Sequence, residues 1–468
     1  VFLFAACAPA GADESWVGKT ILVKKSGIRI GHGKDGETVY TATLQDISYR
    51  VLAENGELIK VREYGVEDWF RKKDAVLLED AVDYFTGRIR DNPKDAAVFV
   101  RRAEAWRLKH KLDRAIKDYD EAIRLDPKFA DAFNNRGLAY YAKKDNDRAI
   151  KDYDEAIRLN PKDAAALNNR GLAYHDKKDY DRAIKDYGEA IRLNPKSAVA
   201  FSNRGDAYRA KKDYDRAIKD YDAAIRLDPK DADAFNNRGN VYRAKKDYDN
   251  AIKDFGEAIR LNPKDAVTFI HRGDAYSDKK DYDHAIKDFD EAIRLDPKDG
   301  YPFNYRGKVY CDKKDYDRAI KDFDEAIRLD PKDAVPFIHR GDAYSDKKDY
   351  NRAIQNYDEA IRLNPKDALA FNNRAAAFRD KKDYDRAIKD FDEAIRLDPK
   401  SAWTRRNRAC TRAKMKQFAE AVRDFEAAFR LDASTDWLYR DYAFFRATCP
   451  EARYRDGAKA VEFGPKSA

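Results

Sequence analysis

Polar side chains able to bind a peptide recur along this 468-residue chain at intervals of 34 residues. An asparagine amide can both donate and accept hydrogen bonds, so a row of amides can hold the backbone of an extended peptide. Arginine adds attraction for acidic groups. The alternative is that each residue is an ordinary solvated polar position. The candidate residues of this predicted peptide-binding groove are Asn134, Asn135, Asn168, Asn169, Asn203, Arg209, Asn236, Asn237, Asn240, Arg243, His271, Asn304, Tyr305, His339, Asn372 and Asn373.

The sequence contains no recognisable catalytic or metal-binding motif. It has no phosphate-binding loop and no nucleophile motif. Its four cysteines show neither metal-ligand spacing nor a Cys-x-x-Cys pair. We therefore expect that the protein is not an enzyme and uses no cofactor and no metal. The spacing leaves open whether Cys410 and Cys449 form a disulfide.

The charge of the chain is high in amount but balanced in sign. Charged residues make up 38% of the sequence, with 94 Lys and Arg against 86 Asp and Glu and a net charge of +8. Nucleic-acid partners need basic charge clustered on one face. Here the two signs alternate at helical spacing, which is typical of solvated faces with ion pairs. We expect no nucleic-acid partner.

Prolines mark a repeating unit of 34 residues, and ten such units span residues 93–432. In the unit that starts at Pro161, Asp163 is a natural N-cap, and we predict a first helix over 164–176. A polar turn follows, and we predict a second helix over 180–193, ended by the residue before the next proline. The markers are Pro93, Pro127, Pro161, Pro195, Pro229, Pro263, Pro297, Pro331, Pro365 and Pro399.

The residues that recur within each unit follow a small–aromatic–Ala–aromatic–Ala–Pro pattern. In one unit they are Gly171, Tyr174, Ala183, Tyr187, Ala190 and Pro195. The pattern resembles the tetratricopeptide repeat over residues 93–432. The resemblance implies a mainly α fold, a right-handed α-solenoid of about ten helix-turn-helix repeats whose first helices line a concave groove. The first helices vary between units while the second helices are nearly copies, which independently favours binding by the first helices.

One departure from the family pattern is constant along the chain. Every unit has arginine where the family often has leucine, before the small residue. A residue identical in every unit cannot distinguish one partner from another, so we interpret it as structural and expect pairing with a carboxylate of a neighbouring unit. The arginines are Arg102, Arg136, Arg170, Arg204, Arg238, Arg272, Arg306, Arg340, Arg374 and Arg408.

Residues 14–79 have the composition of strands. Segments such as 21–23 and 40–43 are rich in strand-forming residues, and Glu54-Asn55-Gly56-Glu57 predicts a hairpin turn. Their order resembles a bacterial SH3-like β-barrel, a family that can bind peptides or cell-wall material. The segment lacks an acidic-aromatic loop and the Pro…Tyr pair of proline-peptide readers, so a purely structural barrel fits equally well.

The ends of the chain differ from the repeats. We predict a capping helix over 80–92 and a degenerate capping repeat over 433–468. Residues 1–13 resemble the end of a secretory or lipoprotein signal. This predicts export to the periplasm or cell envelope, with a lipid anchor in the lipoprotein case. An ordinary apolar tail would instead leave the protein in the cytoplasm, and no other segment is apolar for long enough to span a bilayer.

Together these features predict a non-enzymatic scaffold that binds a protein or an extended peptide along the groove of the repeats. The alternative is a cell-wall-associated module whose SH3-like barrel binds peptidoglycan while the repeats recruit partners. The sequence specifies neither the identity of the partner nor the oligomeric state.

Overall fold

The computed structural model describes residues 15, 17–24, 29–34, 37–43, 48–55, 58–63, 66–432 and 436–456. The predicted signal over 1–13 lies outside these residues. The chain divides into two compact units, Val1–Lys230 and Asp231–Ala468. Each unit is described by itself below.

The first unit begins with eight short strands in two antiparallel sheets. One sheet has the order β4-β1-β8 and the other has the order β3-β2-β7-β6-β5. No described strand belongs to both sheets, so the predicted closed SH3-like barrel is not shown, although strands form where they were expected. Asn55 pairs with Leu58, while Gly56 and Glu57 of the predicted turn lie outside the described residues. The strands are β1 (Thr20–Val23), β2 (Arg29–Lys34), β3 (Glu37–Thr43), β4 (Ser48–Arg50), β5 (Ala53–Asn55), β6 (Leu58–Glu63), β7 (Val66–Arg71) and β8 (Ala75–Leu77).

Helices form the rest of the first unit. The helix α1 (Leu78–Asp91) follows the strands and packs on the first repeat. Pairs of helices then succeed one another, and in each pair we call the two members the first and the second helix. The first helices are α2 (Ala96–Leu108), α4 (Ala130–Ala142), α6 (Ala164–Asp176) and α8 (Ala198–Ala210). The second helices are α3 (Leu112–Leu125), α5 (Asn146–Leu159), α7 (Tyr180–Leu193) and α9 (Tyr214–Leu227).

The second unit repeats the same pairing and ends with α22 (Asp436–Thr448) and a short 3-10 turn over Ala452–Tyr454. Its first helices are α10 (Ala232–Ala244), α12 (Ala266–Asp278), α14 (Gly300–Asp312), α16 (Val335–Asp346), α18 (Ala368–Asp380) and α20 (Ala402–Lys414). Its second helices are α11 (Tyr248–Leu261), α13 (Tyr282–Leu295), α15 (Tyr316–Leu329), α17 (Tyr350–Leu363), α19 (Tyr384–Leu397) and α21 (Phe418–Leu431).

Local signals set the bounds of each helix, as the predictions for α6 and α7 show. Asp163 accepts hydrogen bonds from the backbone N–H groups of Ala165 and Ala166, which satisfies donors that the first turn leaves unpaired. At the other end, Lys178 has a left-handed φ of 62°, and the N–H of Asp179 donates to the carbonyl oxygen of Tyr174. This closure is a Schellman motif with lysine where glycine is usual.

Close contact between the paired helices depends on the small residue of the first helix. A Cβ atom on Gly171 would lie 2.6 Å from Cε1 of Tyr187, and that ring is fully buried. Ala183 and Ala190 are also buried, on the same second helix. The glycine therefore lets an aromatic ring fill the space between the helices.

The repeated arginine links each pair of helices and, in most repeats, also pairs with the preceding repeat. Nε and Nη2 of Arg170 donate to the two carboxylate oxygens of Asp186, at 2.7 and 2.8 Å. Its Nη1 donates to Asp154 of the preceding repeat at 2.7 Å. The predicted pairing with a carboxylate of a neighbouring unit is confirmed here. The structure adds the bidentate bond within the repeat, which sequence analysis missed.

Candidate peptide-binding faces

The candidate asparagines of the first unit bond to one another across successive first helices. Nδ2 of Asn169 on α6 donates to Oδ1 of Asn134 on α4, at 3.0 Å. Nδ2 of Asn203 on α8 donates to Oδ1 of Asn168 on α6, at 2.9 Å. Asn135 is half-buried on α4 and accepts a long bond of 3.5 Å from Asn134. We call this set of amide bonds between first helices the ladder.

The same ladder runs through the second unit with histidine in two of its donor positions. Nδ1 of His339 lies 2.8 Å from Oδ1 of Asn304. In the equivalent pair, Nδ1 of His271 lies 2.9 Å from Oδ1 of Asn236. Nδ2 of Asn240 lies 3.4 Å from the same Nδ1 atom. Because an amide oxygen can only accept, Nδ1 of His339 carries the proton and Nε2 is the ring atom left to accept.

Further along the second unit, the ladder includes a residue that was not among the candidates. Nδ2 of Asn407 on α20 donates to Oδ1 of Asn372 on α18, at 3.2 Å. Asn372 in turn donates to Asn373 at 3.1 Å. Asn237 lies half-buried on α10 beside Asn236. The sequence signal for Asn407 is its offset, which is shared with Asn169 and Asn203.

The two candidate arginines already have acidic partners. Nη2 of Arg209 lies 3.1 Å from Asp206 on the same helix. Nη1 of Arg243 donates to Asp274 at 2.9 Å, and its Nε donates to Asp278 at 2.7 Å. The positive charge that was predicted to attract acidic ligand groups is therefore paired within the protein at both positions.

Three buried or half-buried aspartates on the same faces escaped sequence analysis. They share the sequence Gly-Asp-Ala-Tyr and recur in alternate repeats, which is a signal that could have found them. They are Asp206, Asp274 and Asp342. The hydroxyl of Tyr221 donates to Asp206 at 2.8 Å, and that of Tyr357 donates to Asp342 at 2.7 Å.

Tyr305 lies in a small aromatic group beside one of these aspartates. Its ring stacks on that of Tyr301 with centroids 4.0 Å apart. The hydroxyl of Tyr301 lies 3.3 Å from Oδ2 of Asp274, and Nζ of Lys308 lies 5.1 Å from the centre of the Tyr305 ring. The face of the second unit therefore mixes aromatic, acidic and basic groups.

Burial sets the charge of two residues on α16. It lowers the pKa of His339 to about 4, with a further lowering from the positive charge of Lys308. Burial raises the pKa of Asp342 to about 6, against the hydrogen bonds from Tyr357 and Asn373 that lower it. At neutral pH the histidine is therefore neutral and the aspartate is ionised.

The described part of the chain also bears on metal binding, membrane insertion and disulfide formation. There, no group of three or more His, Cys, Asp or Glu side chains is placed to hold a metal ion. None of the helices over the same residues is long and apolar enough to cross a membrane. Cys311, Cys410 and Cys449 are free thiols, and Cys410 and Cys449 pack in the same apolar cluster.

Three family models match the chain, all within the ten 34-residue units. One, described as a TPR repeat, matches residues 106–144, 205–244 and 307–347. The other two are described as tetratricopeptide repeats. One of them matches residues 134–198 and 339–402, and the other matches residues 232–265 and 266–299. No curated protein matches this chain.

Among the solved structures that are similar to this chain is yeast Tom70. The two sequences are 18% identical and the TM-score is 0.44, and the match covers 79% of this chain and 95% of the Tom70 chain. A tetratricopeptide repeat protein from Parabacteroides merdae is 19% identical with a TM-score of 0.44, over 53% of this chain and 98% of its own. YrrB, a TPR protein with an unusual peptide-binding site, is 26% identical with a TM-score of 0.35, over 43% of this chain and all of its own.

Proposed function

Since the helix pairs of this chain are tetratricopeptide repeats, we propose that it is a non-enzymatic scaffold that binds a protein or an extended peptide along the faces of its first helices. The observation that carries this proposal is the ladder. Each amide or imidazole in it is held in place by a hydrogen bond to a neighbouring repeat. It is therefore oriented before a ligand arrives, which lowers the entropy cost of binding.

The ladder leaves hydrogen-bonding capacity for a ligand. An asparagine side chain has two N–H donors and an oxygen that accepts two bonds. The bond between Asn169 and Asn134 uses one donor of the first and one acceptor site of the second. The remaining groups can pair with the N–H and C=O groups of an extended peptide. Such pairing recognises the backbone, so apolar and charged neighbours on the face must supply specificity.

The proposal is tested by selecting displayed random peptides on the immobilised full chain. The informative variant is Asn135→Ala combined with Asn237→Ala, because among the described residues neither side chain donates one of the ladder bonds. We expect weaker binding of the selected peptides by this variant. The matched control is Lys151→Ala with Lys185→Ala, which removes two exposed side chains from second helices. Failure to enrich any peptide above a blank surface would reject the proposal.

Export to the periplasm or cell envelope, and contact with peptidoglycan through residues 14–79, stay proposals of lower rank. They rest on the resemblances of the two N-terminal segments. Sedimentation of the chain with purified cell wall, with and without residues 14–79, tests the second of them. Equal sedimentation of the two forms would exclude a role for the strands in wall binding.

A further inference from the structure

Exposed apolar residues lie near the start of five successive first helices in the second unit. Each exposes between 41 and 54% of its surface, and they are Val267, Tyr301, Val335, Leu369 and Trp403. On α16 the residues Val335, His339, Asp342 and Asp346 follow the i, i+4, i+7, i+11 spacing that places side chains on one side of a helix. The apolar residues therefore share a face with the ladder and with the acidic residues.

In one pair of repeats, two acidic residues of this face hold an internal guanidinium. Arg243 on α10 reaches the next first helix, where Nη1 donates to Asp274 and Nε donates to Asp278, at 2.9 and 2.7 Å. Asp274 exposes only 3% of its surface. A buried carboxylate of this kind needs a positive partner, and the forked guanidinium supplies it.

Two repeats further along the chain, the two carboxylates are kept but the arginine is replaced. Asp342 and Asp346 on α16 occupy the positions of Asp274 and Asp278, while Cys311 on α14 occupies the position of Arg243. Among the described residues, no Lys, Arg or His forms an ion pair with Asp342 or Asp346. Tyr357 and Asn373 both donate to Oδ1 of Asp342, and no hydrogen bond reaches its Oδ2 from that part of the chain.

The described side chains around the two carboxylates form no ion pair with them. Burial, and then the charges of Asp346 and Asp342, raises the pKa of the Cys311 thiol to about 12, so it stays neutral. Lys308 is close enough to lower the pKa of Asp342, yet its ammonium lies over the ring of Tyr305. A cysteine side chain is much shorter than the arginine it replaces. The place of the guanidinium is therefore left to another molecule.

We propose that Asp342 and Asp346 bind the guanidinium of an arginine side chain in the peptide ligand, in the place that Arg243 takes two repeats earlier. The inference rests on the proposed function, because the peptide must lie along this face. Val335 lies on the same side of α16 two turns before Asp342, so apolar side chains of the peptide can pack near the start of the helix while its arginine reaches the acidic pair. Two carboxylates at this spacing suit the planar fork of arginine better than the single ammonium of lysine.

The subsite is tested on the full chain with N-acetyl-arginine N-methylamide, and with the lysine and glutamine analogues, by ligand-observed NMR titration. We expect the arginine probe to bind more tightly than either analogue. The double variant Asp342→Asn, Asp346→Asn should weaken it by about tenfold or more, the loss expected for a charge-assisted hydrogen bond. Asp317→Asn is the control, because it removes an exposed carboxylate that pairs with Lys347. Equal binding of the arginine and lysine probes, or no effect of the double variant, would overturn the inference.

Two reciprocal variants exchange the side chains found at the equivalent positions 243 and 311. Cys311→Arg should restore the internal pair, abolish binding of the arginine probe and raise the midpoint of thermal unfolding. Arg243→Cys should open the equivalent place at Asp274 and Asp278, so that the probe binds at two positions. Retained probe binding in a folded Cys311→Arg protein would contradict the assignment, as would a single binding position in Arg243→Cys.

The outcomes separate this inference from the proposed function. Selected peptides that lack arginine and ignore the Asp342→Asn, Asp346→Asn variant would remove the subsite while leaving the scaffold in place. Binding of the arginine probe without enrichment of any displayed peptide would keep the subsite and remove the peptide-binding function. Enrichment of peptides that contain both arginine and apolar residues, lost in the double variant, would support both.

Discussion

Nδ2 of Asn169 donates a hydrogen bond of 3.0 Å to Oδ1 of Asn134, and so joins the first helices of two successive repeats. The residues that offer the best groups for a peptide backbone are thus also structural residues. Replacing them changes the stability of the repeats together with any binding. Experiments on this face must separate the two effects.

The ladder bond from Asn203 should contribute measurably to stability. Asn203→Ala removes its donor to Asn168, and we expect a loss of about 1 kcal/mol in the free energy of unfolding. The adjacent change Ser202→Ala is the control, because the buried Oγ of Ser202 has no hydrogen-bond partner among the described residues. It should be neutral or slightly stabilising. Urea denaturation measures both, and equal losses would show that the ladder bond contributes nothing.

Gly188 occupies the place where most repeats have an aspartate paired with the next arginine. A Cβ atom at Gly188 would lie 3.6 Å from Nη1 of Arg204, whereas Asp154 pairs with Arg170 at 2.7 Å. Gly188→Asp should therefore stabilise the fold by about 1 kcal/mol, through helix propensity and a partly exposed ion pair.

The control for this change is Gly188→Asn, which has nearly the same shape and no charge. The urea midpoint of the Asp variant should exceed that of the Asn variant at low salt, with a smaller difference at high salt. Identical midpoints would mean that Arg204 gains nothing from a second carboxylate.

The bidentate pair between Arg136 and Asp152 should behave as a buried unit. Its bonds measure 2.8 and 2.7 Å, and burial raises the pKa of Asp152 despite the arginine. Arg136→Leu leaves that carboxylate without its main partner, so we expect a loss of about 2–3 kcal/mol in the free energy of unfolding.

The double variant Arg136→Leu, Asp152→Ala should recover part of this loss, because no uncompensated charge stays buried. Arg158→Ala is the control, since its pair with Glu155 is exposed, and it should leave the urea midpoint unchanged. A double variant no more stable than Arg136→Leu alone would contradict this account.

His339 should make stability depend on pH. Its pKa is lowered from 6.5 to about 4 in the folded chain, so between these values the unfolded chain binds a proton that the folded chain does not. Stability is therefore lost as the pH falls through about 6.5. Relative to His339→Asn, the natural chain should lose about 1 kcal/mol between about pH 7 and pH 5.5.

Asparagine is a suitable replacement for His339, because asparagine holds the same ladder position in other repeats, as Asn169 and Asn203 show. Asp342 acts in the opposite direction. Its pKa is raised to about 6, so protonation favours the folded state as the pH falls below that value. Asp342 is present in both the natural chain and His339→Asn, so its effect on stability cancels when the two proteins are compared. Parallel stability curves for the two proteins would show that His339 is not buried in a neutral form.

The sequence by itself determined the repeating unit and the helices within it. Asp163, the polar turn around Lys178 and the proline at position 195 each act on residues only a few positions away, so their effects are local and can be identified from spacing. The small residue and the aromatic ring are also a fixed distance apart in every unit. That is why the bounds of α6 and α7 and the recurring pattern of small and aromatic residues could be predicted, whereas the contact of Gly171 with Tyr187 is shown by the structure.

Only the tertiary structure decided which side chains meet between repeats. The ladder joins residues 35 positions apart, and Arg243 meets Asp274 31 positions along the chain. Both offsets depend on how one helix pair stacks on the next, and hydrophobic periodicity does not specify that rotation. The same stacking decides that the charge of Arg243 is paired while Asp342 forms no ion pair within the described residues, because Cys311 stands where the arginine would reach across.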